Sequence, residues 1–195
     1  MLVLAIFLLL AQAATPAPAS SRAGLTRADA DSLSRKLEAL EKRRGPGAAE
    51  KVSISQGELN SYLNLSLGPR MPPGLSDVDV RLELDRVSAK AVVDLDQVKG
   101  KLPPAGPFSP LTFLGGRVPV EVKGRLPNDD GFATIEFEEI RMGGLPVPPS
   151  FVAQFVASAT RTPDNPKGLD ILAPIRLPYA LKRIRVQPGK ASLEP

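Results

Sequence analysis

The sequence lacks both cysteine and histidine in all of its 195 residues. Without cysteine there is no disulfide framework, thiol nucleophile or lipid-modified cysteine, so folding depends on an ordinary hydrophobic core. Without histidine, the commonest general base and metal ligand near neutral pH is missing. Ser-His-Asp and Cys-His hydrolysis and most zinc sites are therefore excluded, while carboxylate-only and Ser-Lys chemistry stay open.

Tryptophan is absent as well, aromatic residues make up 5% of the chain, and the formal net charge is only +4. The stacking platforms of proteins that bind single-stranded nucleic acid are thus missing. On a protein that is exported, a modest positive excess favours anionic lipid headgroups or another acidic envelope polymer over nucleic acid as the partner.

A hydrophobic run at residues 2–10 is too short for a membrane-spanning helix, which needs roughly 20 residues. Ala11-Gln12-Ala13 then has the small-x-small pattern of signal peptidase sites, so residues 1–13 are predicted to be a signal peptide cleaved after Ala13. No lysine or arginine precedes the run, which leaves an uncleaved interfacial anchor as the alternative. Residues 14–24, rich in Ala, Pro and Ser, are predicted to be a flexible tether. We therefore expect an exported protein of the periplasm or cell envelope.

Residues 25–47 are typical of an amphipathic helix followed by a linker, because Leu33, Leu37 and Leu40 recur at helical spacing. The apolar stripe is narrow, so this helix is expected to act as a spacer or to dock loosely rather than to belong to the core. Residues 48–195 are long enough for a single domain with one core.

Another helix is predicted at residues 55–65, where Ser55 and Glu58 have the spacing of a capping box. Its apolar edge consists of Leu59, Tyr62 and Leu63. Its polar residues Asn60, Ser61 and Asn64 are expected to face elsewhere. An apolar edge needs a surface to cover, and the alanine-lined face of the hairpin that follows is the predicted surface.

Two stretches of period-two alternation predict antiparallel hairpins at residues 78–96 and 117–142. The predicted inward residues of the first hairpin are Val78, Val80, Leu82, Leu84, Ala89, Ala91, Val93 and Leu95. Those of the second are Val118, Val120, Val122, Ile135 and Phe137. Residues 175–195 add one or two final strands. The predicted fold class is α+β, with a mostly antiparallel curved sheet of two hairpins plus C-terminal strands, packed against one or two helices.

Residues 149–159 are predicted to form a further helix with proline in its first turn. Its large apolar residues are Phe151, Val152, Phe155 and Val156. A helix that is apolar around most of its girth must be covered on most sides. These four residues belong either to plain core or to the wall of a ligand pocket, and the two interpretations are not exclusive.

The segment ISQGELNSYLN and the strands that follow it resemble a group of exported bacterial proteins of TULIP-like type. The matching residues are Ile54, Ser55, Glu58, Leu59, Asn60, Tyr62 and Leu63, followed by the strand at residues 78–84. The later segment GGLPVPPSFVAQFV is similar to the helix start that follows the second hairpin in such proteins. The resemblance implies a curved antiparallel sheet around a helix, with a groove between them that accepts lipid acyl chains. The apolar helix of this chain is short for enclosing a full acyl chain.

Two acidic motifs could be proposed as metal sites. The DLD motif at residues 94–96 has the spacing of a metal-binding carboxylate pair, and the NDDG motif at residues 128–131 has the residue types of a calcium loop. A strand end or turn cap is favoured for the first, and a hairpin turn for the second. No metal and no cofactor are therefore predicted.

The segment KRIRV at residues 182–186 predicts a basic strand with Arg183 and Arg185 on one face. These arginines are candidate contacts for a ligand headgroup or an anionic membrane surface, with a merely solvated sheet face as the alternative. A proline- and glycine-rich connection at residues 99–116 carries Phe108, Leu111, Phe113 and Leu114. It is either a lid or membrane-dipping loop, or a segment that folds back on the sheet edge.

The sequence therefore predicts an exported, non-enzymatic binding module that holds a lipid or other long apolar ligand in the cell envelope. The predicted ligand-binding residues are Leu59, Tyr62, Leu63, Phe151, Val152, Phe155 and Val156. The alternative is a structural or protein-interaction domain of the envelope with a filled core and no ligand. A carboxylate-based enzyme would need two acids about 5–9 Å apart, and no pair in the sequence stands out.

Overall fold

The computed structural model describes residues 24–42, 51–71, 74–98, 115–161, 163 and 165–194. Its helices are α1 (Arg27–Lys42), α2 (Gln56–Ser61), α3 (Leu95–Val98) and α4 (Pro149–Ala159). Its strands are β1 (Val52–Ser55), β2 (Leu75–Glu83), β3 (Arg86–Asp94), β4 (Arg117–Arg125), β5 (Asn128–Asp129), β6 (Phe132–Ala133), β7 (Glu136–Met142), β8 (Leu145–Pro146), β9 (Ile175–Arg176), β10 (Arg183–Gln187) and β11 (Lys190–Glu194). The α+β prediction is confirmed, with antiparallel strands throughout the described sheets.

The larger sheet has five strands in the order β2-β3-β4-β7-β8. The pairs β2–β3 and β4–β7 are the two predicted hairpins, and both are confirmed. They form one sheet because β3 also pairs with β4, from Val87 opposite Gly124 to Asp94 opposite Arg117. The inner face of this sheet is therefore assembled from both hairpins.

The C-terminal strands lie in a separate three-stranded sheet with the order β1-β11-β10. β10 and β11 pair around the predicted turn. β1 pairs with β11 from Val52 opposite Leu193 to Ser55 opposite Lys190. Strand β1 is not predicted from the sequence. Four residues directly before a capping box are too few to establish an alternating pattern. Strands β5, β6 and β9 form a third, small sheet.

Helix α1 belongs to the main hydrophobic core, and the prediction that it is a spacer or docks loosely is wrong. Leu33 is fully buried, and Leu37 and Leu40 are 7% and 8% exposed, in one cluster with residues of α2, β2, β10 and β11. The start of α1 is also tied to α2, because the Thr26 backbone N–H donates to the Ser61 hydroxyl at 3.1 Å. The narrow apolar stripe of α1 is sufficient to dock the helix on the core, because polar residues beside the stripe also have hydrogen-bond partners on other elements.

The predicted capping box at the start of α2 is confirmed. The Glu58 backbone N–H donates to the Ser55 hydroxyl at 3.1 Å, and the Ser55 backbone N–H donates to the Glu58 carboxylate at 2.8 Å. The helix continues as a π-helical turn at Tyr62–Ser66 and a short 3-10 turn at Gly68–Arg70. The helical segment therefore covers the predicted length and leads directly into β2.

Helix α2 and the π-helical turn that follows it bind the outer edge of β2 through side-chain amides. The Asn60 Oδ1 accepts from the Val80 N–H at 2.7 Å, and its Nδ2 donates to the Val80 carbonyl at 2.9 Å. Asn64 makes the same pair of bonds with Val78, at 3.2 and 2.6 Å. The prediction that these asparagines face away from the packed side is therefore wrong.

We call these contacts the amide ladder, with Gln56 as its third member, because its Oε1 accepts from the Leu82 N–H at 2.9 Å. The geometry matches because four helix residues rise about 6 Å and two strand residues about 6.7 Å. A sheet edge with unpaired backbone groups invites pairing with other chains. The amide ladder closes that edge with a helix rather than with another strand.

Leu84 is 68% exposed, whereas Val78, Val80 and Leu82 are buried as predicted. The prediction that Leu84 faces inward is wrong. β2 ends at Glu83, and a turn with a positive backbone φ follows it, which removes Leu84 from the alternating pattern.

Several predictions concern residues outside the described ranges. These are the signal peptide at residues 1–13, the tether up to residue 23, and the side chains Phe108, Leu111, Phe113 and Leu114. Within the described ranges, no helix combines the length and the apolar character needed to cross a membrane.

Candidate ligand-binding site

An apolar cavity of about 210 Å³ lies between α4 and the inner face of the five-stranded sheet. On the sheet side it is lined by Val87, Ala89, Ala91, Val93, Val120, Val122, Gly124, Phe137 and Met142. On the helix side it is lined by Phe151, Val152, Phe155 and Val156. Leu75, Leu126, Ile135 and Ile171 complete the apolar wall. Arg125 and Lys90 also border the cavity, although the Lys90 ammonium lies beside Glu121 on the other face of the sheet.

Small residues on the sheet leave this space open. Ala89 and Ala91 lie two positions apart on β3 and therefore project from the same face. Gly124 lies at a register shift in β4, where a Cβ atom would collide with the Glu136 carbonyl oxygen. The alanine-lined face leaves room for a helix, as expected. Ala89 and Ala91 pack against the main core, to which α2 contributes Leu59, and they also line the cavity under α4.

Helix α4 is anchored along one side and at its C-terminal end. Ala153 and Val156 are 9% and 6% exposed and pack with Ile171. The Thr160 hydroxyl donates to the Val156 carbonyl at 2.7 Å and accepts from the Leu169 N–H at 2.7 Å. These contacts fix one side and the C-terminal end of α4, and the space between α4 and the sheet stays open.

Four of the seven predicted ligand-binding residues line the cavity, namely Phe151, Val152, Phe155 and Val156. Val156 is buried and the other three are half-buried, so α4 is covered on fewer sides than its composition predicts. The other three, Leu59, Tyr62 and Leu63, are not part of the cavity wall. They lie in or against the main core, where packing replaces the predicted contact with a ligand.

Some residues of the cavity wall are not predicted from the sequence, because only the tertiary structure brings them together. Ile135 and Phe137 stand on the predicted inward face of the second hairpin, but no sequence signal indicates that this face is shared with α4. Leu75 and Ile171 lie outside any clear apolar periodicity, so only the fold brings them to the cavity.

A polar cleft of about 430 Å³ adjoins the apolar cavity. It is lined by Asp85, Arg125, Leu126, Pro127, Asn128, Glu136, Arg183, Ile184, Arg185 and Val186. Arg125 and Leu126 belong to both walls. The two arginines that the sequence suggests as headgroup contacts, Arg183 and Arg185, therefore line a cleft directly beside the cavity.

Each arginine of the polar cleft forms an ion pair at the protein surface. The pairs are Arg125–Glu138 at 2.8 Å, Arg183–Asp129 at 3.3 Å and Arg185–Glu194 at 2.9 Å. The three arginine side chains are between 47% and 55% exposed. Exposed pairs of this kind contribute about 0–1 kcal/mol, so they restrain the guanidinium groups only weakly.

The outer face of the five-stranded sheet carries paired charges. Lys90 and Lys123 lie 2.8 Å from Glu121 and Glu139 respectively. A hydrogen bond from Lys90 lowers the pKa of Glu121, and one from Lys123 lowers the pKa of Glu139. One face of the sheet is therefore solvated, and the apolar face is the one toward α4.

Both acidic motifs serve local structure. The Asp94 carboxylate accepts from the Asp96 N–H at 3.0 Å and from the Gln97 side chain at 2.8 Å, which caps α3. Asn128 and Asp129 form β5, and Asp130 and Gly131 form the turn to β6, with φ of 43° and 84°. Across the described ranges, no group of three or more acidic side chains is placed to hold a metal ion.

Comparison of the chain with protein-family models, with characterised proteins and with solved structures found no match. The function is therefore inferred from the geometry of the apolar cavity and its surroundings.

Proposed function

We propose that this protein is an exported, non-enzymatic binding module that holds a lipid or another apolar small molecule in the cell envelope. The observation that supports this proposal is the apolar cavity of about 210 Å³ between α4 and the sheet. Small-molecule sites are typically mostly apolar spaces between packed elements, with a few polar groups that orient the ligand. The resemblance to TULIP-like proteins supports the same proposal, because it implies a groove between sheet and helix that accepts lipid acyl chains.

An apolar ligand has a physical reason to enter this cavity. Each Å² of apolar surface removed from water contributes about 25 cal/mol. Wall atoms that face an empty space also forgo dispersion contacts that a ligand would restore. The hydrophobic run at the N-terminus and the small-x-small pattern after it support export, which would place the protein where free lipid is available.

Native mass spectrometry of the full-length chain, purified without detergent, tests this proposal directly. The expected spectrum contains a protein species with added mass that is released by organic extraction. Uniformly ligand-free protein that also fails to bind an added apolar probe such as decanol would contradict the proposal.

Replacing Ala91 with phenylalanine is expected to abolish binding without unfolding the protein. Ala91 lies on the inner face of β3, so a phenyl ring there would occupy the cavity. Filling a cavity commonly stabilises a protein by about 0.5–2 kcal/mol, so the melting temperature should stay constant or rise. The affinity for decanol, measured by isothermal titration calorimetry, should fall by more than about tenfold, or more than 1.4 kcal/mol.

The matched control is Val92→Phe, which places the same side chain on the opposite face of the same strand. It should bind decanol like the unmodified protein. Equal binding by the Ala91→Phe protein would show that the ligand occupies another location.

The packing of the main core favours a second candidate function, a structural or protein-interaction domain of the envelope. Leu33, Leu63 and Leu193 are fully buried there, and the cavity beside α4 is smaller than the roughly 300–1,000 Å³ of most ligand pockets. This candidate predicts that neither lipid nor decanol binds, while crosslinking in the cell envelope captures a protein partner.

A further inference from the structure

The position of Arg125 and Leu126 connects the two concave sites of the molecule. Both residues belong to the wall of the apolar cavity and to the wall of the polar cleft. Leu126 follows β4 directly, and Arg125 is its last residue. The two spaces therefore lie side by side at the end of β4, within reach of one molecule that has an apolar part and a polar part.

The charges of the polar cleft favour an anion. Three arginines and two acids line it, the acids being Asp85 and Glu136. Arg125 uses its Nε to reach Glu138, and Arg185 uses its Nε to reach Glu194. Because a guanidinium has five N–H donors, the terminal nitrogens of these two side chains can still bind an anionic group in bidentate fashion.

The cost of redirecting these arginines is low. Their ion pairs lie at the surface and contribute about 0–1 kcal/mol each. Arg183 is held least tightly, because its partner Asp129 is 84% exposed and 3.3 Å away. A carboxylate or phosphate group that enters the cleft would replace weak contacts by charge-assisted hydrogen bonds.

The volume of the apolar cavity limits the size of the apolar end of the ligand. A cavity of about 150 Å³ accepts a benzene ring. A cavity of about 210 Å³ therefore has room for one short apolar chain and not for the two chains of a phospholipid.

We propose that the ligand is a single-chain anionic amphiphile, whose carboxylate or phosphate group is bound by Arg125, Arg183 and Arg185 while its chain occupies the apolar cavity. This assignment rests on the proposed binding function and deepens it. It makes Arg125 the residue at the junction, where the chain leaves the cavity and the charged group begins.

Binding of three probes to the full-length protein tests the assignment. The probes are decanoate, decyl phosphate and decanol, which share one chain and differ in the polar end. Titration calorimetry should give an affinity at least about tenfold higher for one or both anions than for decanol, as expected for hydrogen bonds to a charged group. The ratio between the two anions distinguishes a carboxylate ligand from a phosphate ligand.

Arginine variants locate the anion. Arg125→Gln should weaken binding of the preferred anion about tenfold. The double variant Arg183→Gln/Arg185→Gln should do the same and leave decanol binding unchanged, because neither arginine lines the apolar cavity. The control is Arg141→Gln, which removes an arginine of the same 52% exposure that lies outside both walls. It should have no effect on any probe.

The outcomes separate this assignment from the proposed function. Equal affinity for decanol and both anions, or unchanged anion binding in both arginine variants, would overturn the headgroup assignment while the apolar binding function stands. If none of the three probes binds, the proposed function and the assignment that rests on it both fail.

Discussion

Replacing Asn60 with alanine is expected to destabilise the folded protein by about 3 kcal/mol, since two buried hydrogen-bonding groups lose their partner at about 1–3 kcal/mol each. The side chain is the partner of both the N–H and the carbonyl of Val80. Asn60 is 7% exposed, so water has little access to these groups after the substitution. Urea unfolding followed by circular dichroism would measure the loss.

Two further variants show whether hydrogen bonding or packing is responsible. Asn60→Asp keeps the shape of the side chain but places a carboxylate against the Val80 carbonyl and Asp79, whose carboxylate lies 3.3 Å from the Asn60 amide nitrogen. It should therefore destabilise the protein at neutral pH as strongly as alanine does. Asn64→Ala removes equivalent bonds at a position that is less buried than Asn60 and should cost only about 1 kcal/mol, because water can substitute there. A small effect of Asn60→Asp would mean that the amide ladder contributes packing alone.

The amide ladder shows what the sequence pattern can and cannot predict. Ser55 and Glu58 are recognisable as a capping box because both partners lie within four residues of each other. Asn60 and Asn64 have the same helical spacing, but their partner is the backbone of β2, which carries no sequence signal. Polar side chains on a short helix are therefore interpreted as solvent-facing unless the fold is known.

The candidate site was predictable to a similar extent. The apolar character of residues 149–159 predicts that α4 covers or lines something, and its four large side chains do line the cavity. The small residues on β3 are visible in the sequence as Ala89 and Ala91. Their position opposite α4 depends on the pairing of β3 with β4, which period-two alternation does not specify.

How firmly α1 docks on the core is likewise not predictable from its own sequence. Three leucines at helical spacing predict a narrow apolar stripe, which by itself indicates weak docking. The polar neighbours of that stripe determine how firmly α1 docks, because Ser32 and Lys36 bind a carboxylate on another helix. Complementary charges 22 or more residues apart in sequence are not distinguishable from ordinary surface charges before the fold is known.

That carboxylate belongs to Glu58, and it connects α1, β1 and α2. Its oxygens accept from the Ser32 hydroxyl at 2.6 Å, from the Lys36 ammonium at 2.7 and 2.8 Å, and from the Ser55 N–H at 2.8 Å. Lys36 also donates to the Ser53 carbonyl at 2.7 Å. Burial alone would raise the pKa of Glu58, but the hydrogen bonds from Lys36, Ser32 and Ser55 together outweigh it and lower the pKa to about 2.

A lowered pKa in the folded state means that the ionised carboxylate stabilises the protein above its ordinary pKa of 4.5. This contribution, about 3 kcal/mol for a shift of this size, is lost progressively as the pH falls from 4.5 through about 2. Protonation would also leave the Lys36 ammonium, whose side chain is only 33% exposed, without its counter-charge.

Glu58→Gln is therefore expected to destabilise the protein by about 3 kcal/mol near neutral pH, and by much less near pH 2, where the unmodified protein has lost the same contribution. Glutamine keeps the size of the side chain and its ability to accept from the Ser55 N–H, so the difference reports the charge. Urea unfolding at several pH values between about 7 and 2 would follow the convergence of the two stabilities.

Glu83→Gln is the matched control, because Glu83 is an exposed carboxylate on β2 and should change stability by no more than about 0.5 kcal/mol at any pH. A double-mutant cycle with Lys36→Met would isolate the coupling between the two side chains. A Glu58→Gln protein that is equally destabilised at neutral and acidic pH would show that shape, rather than the buried ion pair, joins α1 to the capping box. Convergence at low pH would instead show that one carboxylate holds α1 onto the core, through contacts that close only when the whole fold is formed.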